Sequence, residues 1–216
     1  MNLTDPSLWS LPAAQLRDQV ASLKPTPGGG SVSIITATLG LALVHKGVNV
    51  SLKRSASDPT RHQRLSGLSA ELTSLTTTLR AFADADCAAF ESYIQARSLP
   101  HTSDIETAAR KAAMQAGLLR STEIPLESAA TMVQALTFAE EVIALTDRQV
   151  ISDVFAGAIL LQASVKAVLL NVDANLSGIA DAKKREILKD RRIELEDAAA
   201  LRMEAIGQNR PLTYDS

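Results

Sequence analysis

The chain has 216 residues, a formal net charge of −2, 46% hydrophobic residues and only 3% aromatics. That balance excludes the basic footprint of a nucleic-acid binder, and the single Cys87 excludes an intrachain disulfide and suits a reducing cytoplasm. With few aromatics, the interior must be built from Ala, Leu, Val and Ile, in helices that approach closely. "MNLTDPSLWS" lacks a basic stretch followed by an apolar run, so no signal peptide is expected. The most apolar segment, 154–170, is broken by Gln162, Ser164 and Lys166 and reads as a core helix, not a membrane span.

In chain order the pattern predicts helices almost throughout, in one all-α domain over 1–216. The first runs over 11–23, with Ser10 as N-cap and Leu16, Val20 and Leu23 on one face. "PTPGGGS" at 25–31 precedes the second, at 31–52. "SASDP" turns the chain into a long helix over 59–97, which "LPHT" ends. A helix from Asp104 to about 121 and another from Pro125 to about 146 follow. Ser152 is placed as the cap of the apolar helix 153–176, and Asp181 opens a charged helix to about 206. The tail "GQNRPLTYDS" is expected to be mobile or to dock on a partner subunit.

Leu65, Leu68, Leu72, Leu75, Leu79 and Phe82 step by three and four along the long helix, as the buried seam of a bundle does. The next seam position is Asp86, a carboxylate where the pattern wants an apolar group. Such a group is held by a structural partner, or marks where the seam opens to water, or lines a pocket between helices as an acid/base. Asp84 falls off the seam and is expected to be solvated. In the apolar helix, Asn171 and Asn175 share a face, and serve either as glue between helices or as amides for a polar heterocycle. Gly28, Gly29, Gly30 and Ser31 match neither a P-loop nor a dinucleotide fingerprint. They form a simple bend, or a side-chain-free approach to the unsatisfied amides of the second helix, where a carboxylate or carbonyl can bind. His45, His62 and His101 read as ordinary helix or loop residues, and no His or Cys pair has metal-ligand spacing, so no metal is expected.

"PTPGGGSV", "DADCAAFESYIQARSLP", "IPLESA" and "ISDVFAGAILLQASVKAVLLNVDANL" together resemble the cyclodeaminase/cyclohydrolase family over roughly residues 10–205. That family includes the cyclodeaminase half of formiminotransferase-cyclodeaminase and bacterial methenyltetrahydrofolate cyclohydrolases. The resemblance implies a multihelical bundle around a buried central helix, here 153–176, and a cytoplasmic homodimer. It implies a tetrahydrofolate derivative as substrate, with no metal, nucleic acid or membrane involved. It makes Asp86 the active-site aspartate. The family's lysine-rich "GKKKY"-like run is "KRSAS" here, leaving Lys53 and Arg54 as candidate ligand cations, and Thr146-Asp147 replaces a "GN" pair. Three readings follow: a folate cyclodeaminase or cyclohydrolase, a same-fold enzyme on another cyclic amidine or imine, or a non-catalytic dimeric helical module.

Overall fold

Capping signals set several helix starts. Asp58 accepts from the Arg61 amide at 3.0 Å with Pro59 just inside, and Asp181 accepts from the Lys184 amide at 3.0 Å. Ser103 and Glu106 form a reciprocal capping box. The computed structural model describes residues 7–208. It contains α1 (Ala13–Val20), α2 (Gly29–Leu52), α3 (Pro59–Arg97), α4 (Asp104–Leu145), α5 (Ile151–Leu176) and α6 (Ala182–Gln208), with single 3-10 turns at Leu8–Ser10 and Arg148–Val150. No strand occurs among the described residues, as the all-α expectation required. Of the tail, Gly207 and Gln208 close α6, and the remainder lies outside the described residues.

Four boundaries differ from expectation, each for a local reason. Ser10 closes the 3-10 turn by donating to the Ser7 carbonyl, so α1 starts only after Pro12. The first helix ends at Val20, where Ser22 bonds back to the Gln19 carbonyl, and Leu23 is fully exposed. Of the expected face, Leu16 alone packs on the core. Ser152 lies inside α5, which starts at Ile151 directly from the 3-10 turn. The two helices expected on either side of residues 122–124 are one, because α4 runs straight through Pro125. A mid-helix proline removes one ladder donor and leaves the carbonyl four residues back without its partner. Here that is the carbonyl of Ser121, and the Asn175 side chain of α5 donates to it at 3.1 Å.

The helices α2, α3, α4 and α5 pack antiparallel to their neighbours, and α6 covers α4 and α5. Register follows from specific pairs: Gly30 meets Asp86, His45 bonds Ser69 at 2.8 Å, and Gly117 abuts Tyr93. The backbones of α2 and α5 meet at a pair of glycines. A Cβ on Gly157 would stand 2.5 Å from the Gly40 carbonyl oxygen, and one on Gly40 would stand 2.8 Å from that of Gly157. Val154 fills the space beside Gly47, two turns further along α2.

The α3 seam holds from Leu65 to Leu79 and then moves to Ala83 and Cys87, while Phe82 and Asp86 are only partly buried. A straight helix drifts about 20° per heptad against a 3.5-residue repeat. Over the length of α3 that drift carries the buried line from 82 and 86 to 83 and 87. Asp86 therefore stands at the edge of the seam, not in it.

The glycine crossing yields a stability test. Gly157→Ala should destabilise the protein by about 1–3 kcal/mol, because its Cβ overlaps backbone that cannot rotate away. Gly207→Ala, with nothing within 4 Å of its Cβ, should gain up to about 1 kcal/mol. Denaturant melts of both variants check the pair of signs.

Candidate active site

The bend at 25–31 runs along α3. Thr26 donates to the Glu91 carboxylate at 2.5 Å, and five residues back along α3 the backbone of Gly30 meets Asp86. Gly28 caps α2 with extended backbone, and no glycine among the described residues has positive φ. The glycines are thus required for closeness and not for a left-handed turn. At Gly30 the requirement is strict: an added Cβ would lie 2.5 Å from each Asp86 carboxylate oxygen. Gly29 has open space around its Cβ position and is exposed.

Asp86 is therefore seated on the first turn of α2. The Ser31 amide donates to its carboxylate, and the helix N-terminus favours negative charge there. Burial works in the opposite direction and is the larger effect, pushing Asp86 from 3.8 up to about 6. A carboxyl poised there can take or give a proton near neutral pH. Ser31 is fully buried, and its hydroxyl bonds the Gly28 carbonyl at 3.1 Å and reaches Cys87. Burial pushes the Cys87 thiol up to about 11, so it is inert beside the carboxylate.

Asp84 is not solvated as its position off the seam suggested. It accepts from the Ser7 hydroxyl at 2.6 Å and the Leu8 amide at 2.9 Å, and so ties the N-terminal turn to α3. Trp9 adds a bond to the Arg80 carbonyl at 3.0 Å on the same side.

The remaining candidates divide between the two ends of the bundle. The α2/α5 register places the C-terminal half of α5 beside the start of α2, with Asn171 roughly one turn past the level of Gly30. Asn171 is partly buried and donates to the Val168 carbonyl of its own helix at 3.2 Å. Asn175 has its amide on Ser121. Lys53 and Arg54 are exposed at the far end of α2, about 33 Å along the helix from Ser31 at 1.5 Å per residue. There Arg54 bonds Gln149 at 2.7 Å and lies 3.8 Å from Asp147. The chain therefore brings Gly28, Gly29, Gly30, Ser31 and Asp86 together and keeps Lys53 and Arg54 apart from them. His45 and His62 are held by Ser69 and Ser55, away from Asp86.

Sequence reasoning missed two groups at this end. Glu91 anchors the bend through Thr26, and nothing in its spacing signals that. The Ser121 hydroxyl is buried with no hydrogen-bond partner, and its carbonyl depends on another helix. The available signal was Pro125, four residues on.

The family model for formiminotransferase-cyclodeaminase matches residues 12–194. The chain is 31% identical over 185 residues to a methenyltetrahydrofolate cyclohydrolase of Methylorubrum extorquens, covering 85% of this chain and 88% of that one. It is 30% identical over 178 residues to a formimidoyltransferase-cyclodeaminase of Sus scrofa, covering 81% of this chain but only 32% of that longer protein. The fold is similar to that of a formiminotetrahydrofolate cyclodeaminase from Thermotoga maritima, with a TM-score of 0.83, 21% identity and coverage of 94% and 96%. A family match over most of the length, and a relative matched nearly end to end, lead to one conclusion: the chain belongs to the formiminotransferase-cyclodeaminase family.

Proposed function

We propose that this chain is a folate one-carbon enzyme acting at the C1 bridge, with Asp86 as its proton shuttle. The observation that carries the reading is the Asp86 carboxyl, raised to about 6 by burial and held on the first turn of α2 against Gly30. In cyclohydrolysis, water attacks the bridge carbon of 5,10-methenyltetrahydrofolate and the ring opens to the 10-formyl product. In cyclodeamination, N10 attacks the formimidoyl carbon of the 5-formimidoyl substrate and ammonia leaves. Both routes pass through a tetrahedral carbon between nitrogens. Both need one proton taken from the attacking group and one given to the leaving nitrogen. An ionised Asp86 beside that carbon stabilises its amidinium-like charge, accepts the first proton and returns one to the departing nitrogen.

Hydrolysis is the first reading, because the relative matched along 88% of its own length carries that activity in its name. Deamination is the second, favoured by the family match itself. Incubation with each folate separately distinguishes them: the methenyl absorbance band decays under a hydrolase and grows under a deaminase. Lys53 and Arg54 enter this reading only if a second subunit brings them near Asp86.

A homodimer belongs to the same proposal. α2 and α5 are long and apolar enough to cross a bilayer by composition, yet 56% and 44% of their most apolar windows are buried within the bundle. The outward side of α5 leaves Ala156, Ile159, Ala163, Ala167 and Leu170 exposed, beside Leu39 and Ala42 of α2. Lys166 stands in the middle of that face, which is costly in lipid and tolerable against protein. A second copy is the occupant that suits this face.

Asp86→Asn should keep the helical fold and lower turnover by roughly 10²–10⁴-fold, the usual worth of positioned proton transfer. Wild-type turnover should fall below about pH 6 as the carboxylate protonates. An Asp86→Asn enzyme with undiminished turnover assigns the chemistry elsewhere.

The same carboxyl predicts a stability trend. The folded state holds the Asp86 proton more tightly than the unfolded chain, so its stabilising contribution is present below about 3.8 and lost as pH rises through about 6. Asp86→Asn should therefore melt above the wild type at about pH 8, with the gap closing near pH 4. Thermal melts at the two pH values check the sign.

Light scattering in detergent-free buffer should give twice the monomer mass at micromolar concentration. A monomer leaves the α5 face without its occupant and overturns the dimer.

A further inference from the structure

The Asn175 side chain occupies the place of a backbone group that the sequence has deleted. Pro125 has no N–H, and inside α4 the group that would have received it is the Ser121 carbonyl. Ser121 is buried, so that carbonyl cannot turn to water. Asn175 reaches across from α5 and donates its Nδ2 to it at 3.1 Å. The substitution of a side-chain donor from one helix for a main-chain donor of another joins α4 to α5 at one level of the bundle.

That level is the Asp86 end. Ile124, between Ser121 and Pro125, is 1% exposed. It lines a cavity of about 270 Å³ together with Ala85, Ala88 and Ala89 of α3, on the turn that carries Asp86, although Asp86 itself does not line it. The stretch of α4 that Asn175 holds thus faces, across this cavity, the turn of α3 that carries the carboxylate. The neighbouring Ser121 hydroxyl is buried without a partner. In a region where one polar group is already unpaired, loss of the Asn175 bond would leave a second.

We infer that Asn175 is a positioning residue of the active site, acting through the Ser121 carbonyl and not by touching the folate. The inference rests on the reading of the Asp86 end as the active site. It commits Asn175 to a role that Pro125 creates: without the proline, the N–H of residue 125 would close the helical ladder and Asn175 would become dispensable.

The test is a cycle of four proteins: wild type, Asn175→Ala, Pro125→Ala and the double variant. Melting temperature, amide exchange along residues 119–126 and the split between kcat and KM are measured well below the melting transition. Asn175→Ala in the wild-type background should lower the melting temperature, speed exchange in that segment and reduce kcat several-fold with KM little changed. The same substitution made in Pro125→Ala should change none of these appreciably. If Asn175→Ala fails to fold while the double variant folds, the coupling is upheld in its strongest form. A double variant that also fails to fold overturns the inference. So does an equal loss of melting temperature in both backgrounds. A rise in KM that persists without the proline makes Asn175 a ligand contact instead. A lower melting temperature with unaltered kcat reduces it to a packing residue. If the wild type turns over neither folate, the folate reading falls by itself. The melting and exchange arms then decide whether Asn175 holds this segment of α4.

Discussion

The contact between the backbones of Gly40 and Gly157 is the constraint on which the arrangement depends. Side chains at either position would overlap a carbonyl oxygen of the facing helix. With only hydrogens there, α2 and α5 approach backbone to backbone, and their antiparallel register is set. Everything else at the candidate site inherits that register. The start of α2 is brought beside the later half of α5, and the loop before it is drawn along α3, where Thr26 and Glu91 secure it.

The second close approach, Gly30 on Asp86, converts packing into chemistry. A carboxylate at a helix start is ordinarily stabilised in its charged form. Here burial outweighs the amide, so the carboxyl is raised to about 6, close enough to neutral pH to exchange a proton while ionised at rest. The same arrangement costs stability at that pH, a common trade where a site must keep a reactive group away from its preferred solvation. Asp84, two residues earlier, shows the contrast. It has two donors from the N-terminal turn and serves as a fastening.

Polar residues in the apolar helices are spent in different ways. Asn175 restores a bond that Pro125 removes, whereas Asn171 only bonds back along its own helix. At the other end of α2, Arg54 bonds Gln149 and lies near Asp147. The face of α5 turned outward, with small residues around Ile159 and Leu170, continues the apolar character of the core to the surface.

The all-α class and the long helix over 59–97 were readable from residue order, and so were the glycine bend and the off-pattern Asp86 as separate features, but not the contact between them. They rest on local periodicity, caps and the absence of side chains, which are properties of neighbours in the chain. The exact buried line of α3 was not, because a 3.5-residue repeat and a 3.6-residue helix part company over so many turns. Nor was the continuity of α4, since a proline ends a helix unless another element supplies the missing bond. Asn175 lies 54 residues from Ser121 in the chain, and only the antiparallel packing of α4 on α5 brings the donor to the carbonyl. Sequence alone determined which residues had unusual demands: an off-pattern aspartate, three adjacent glycines, a proline between two helical stretches. Tertiary structure decided which demand each met, because a hydrogen bond, a desolvated carboxyl or a backbone contact exists only once distant segments share the same few ångströms.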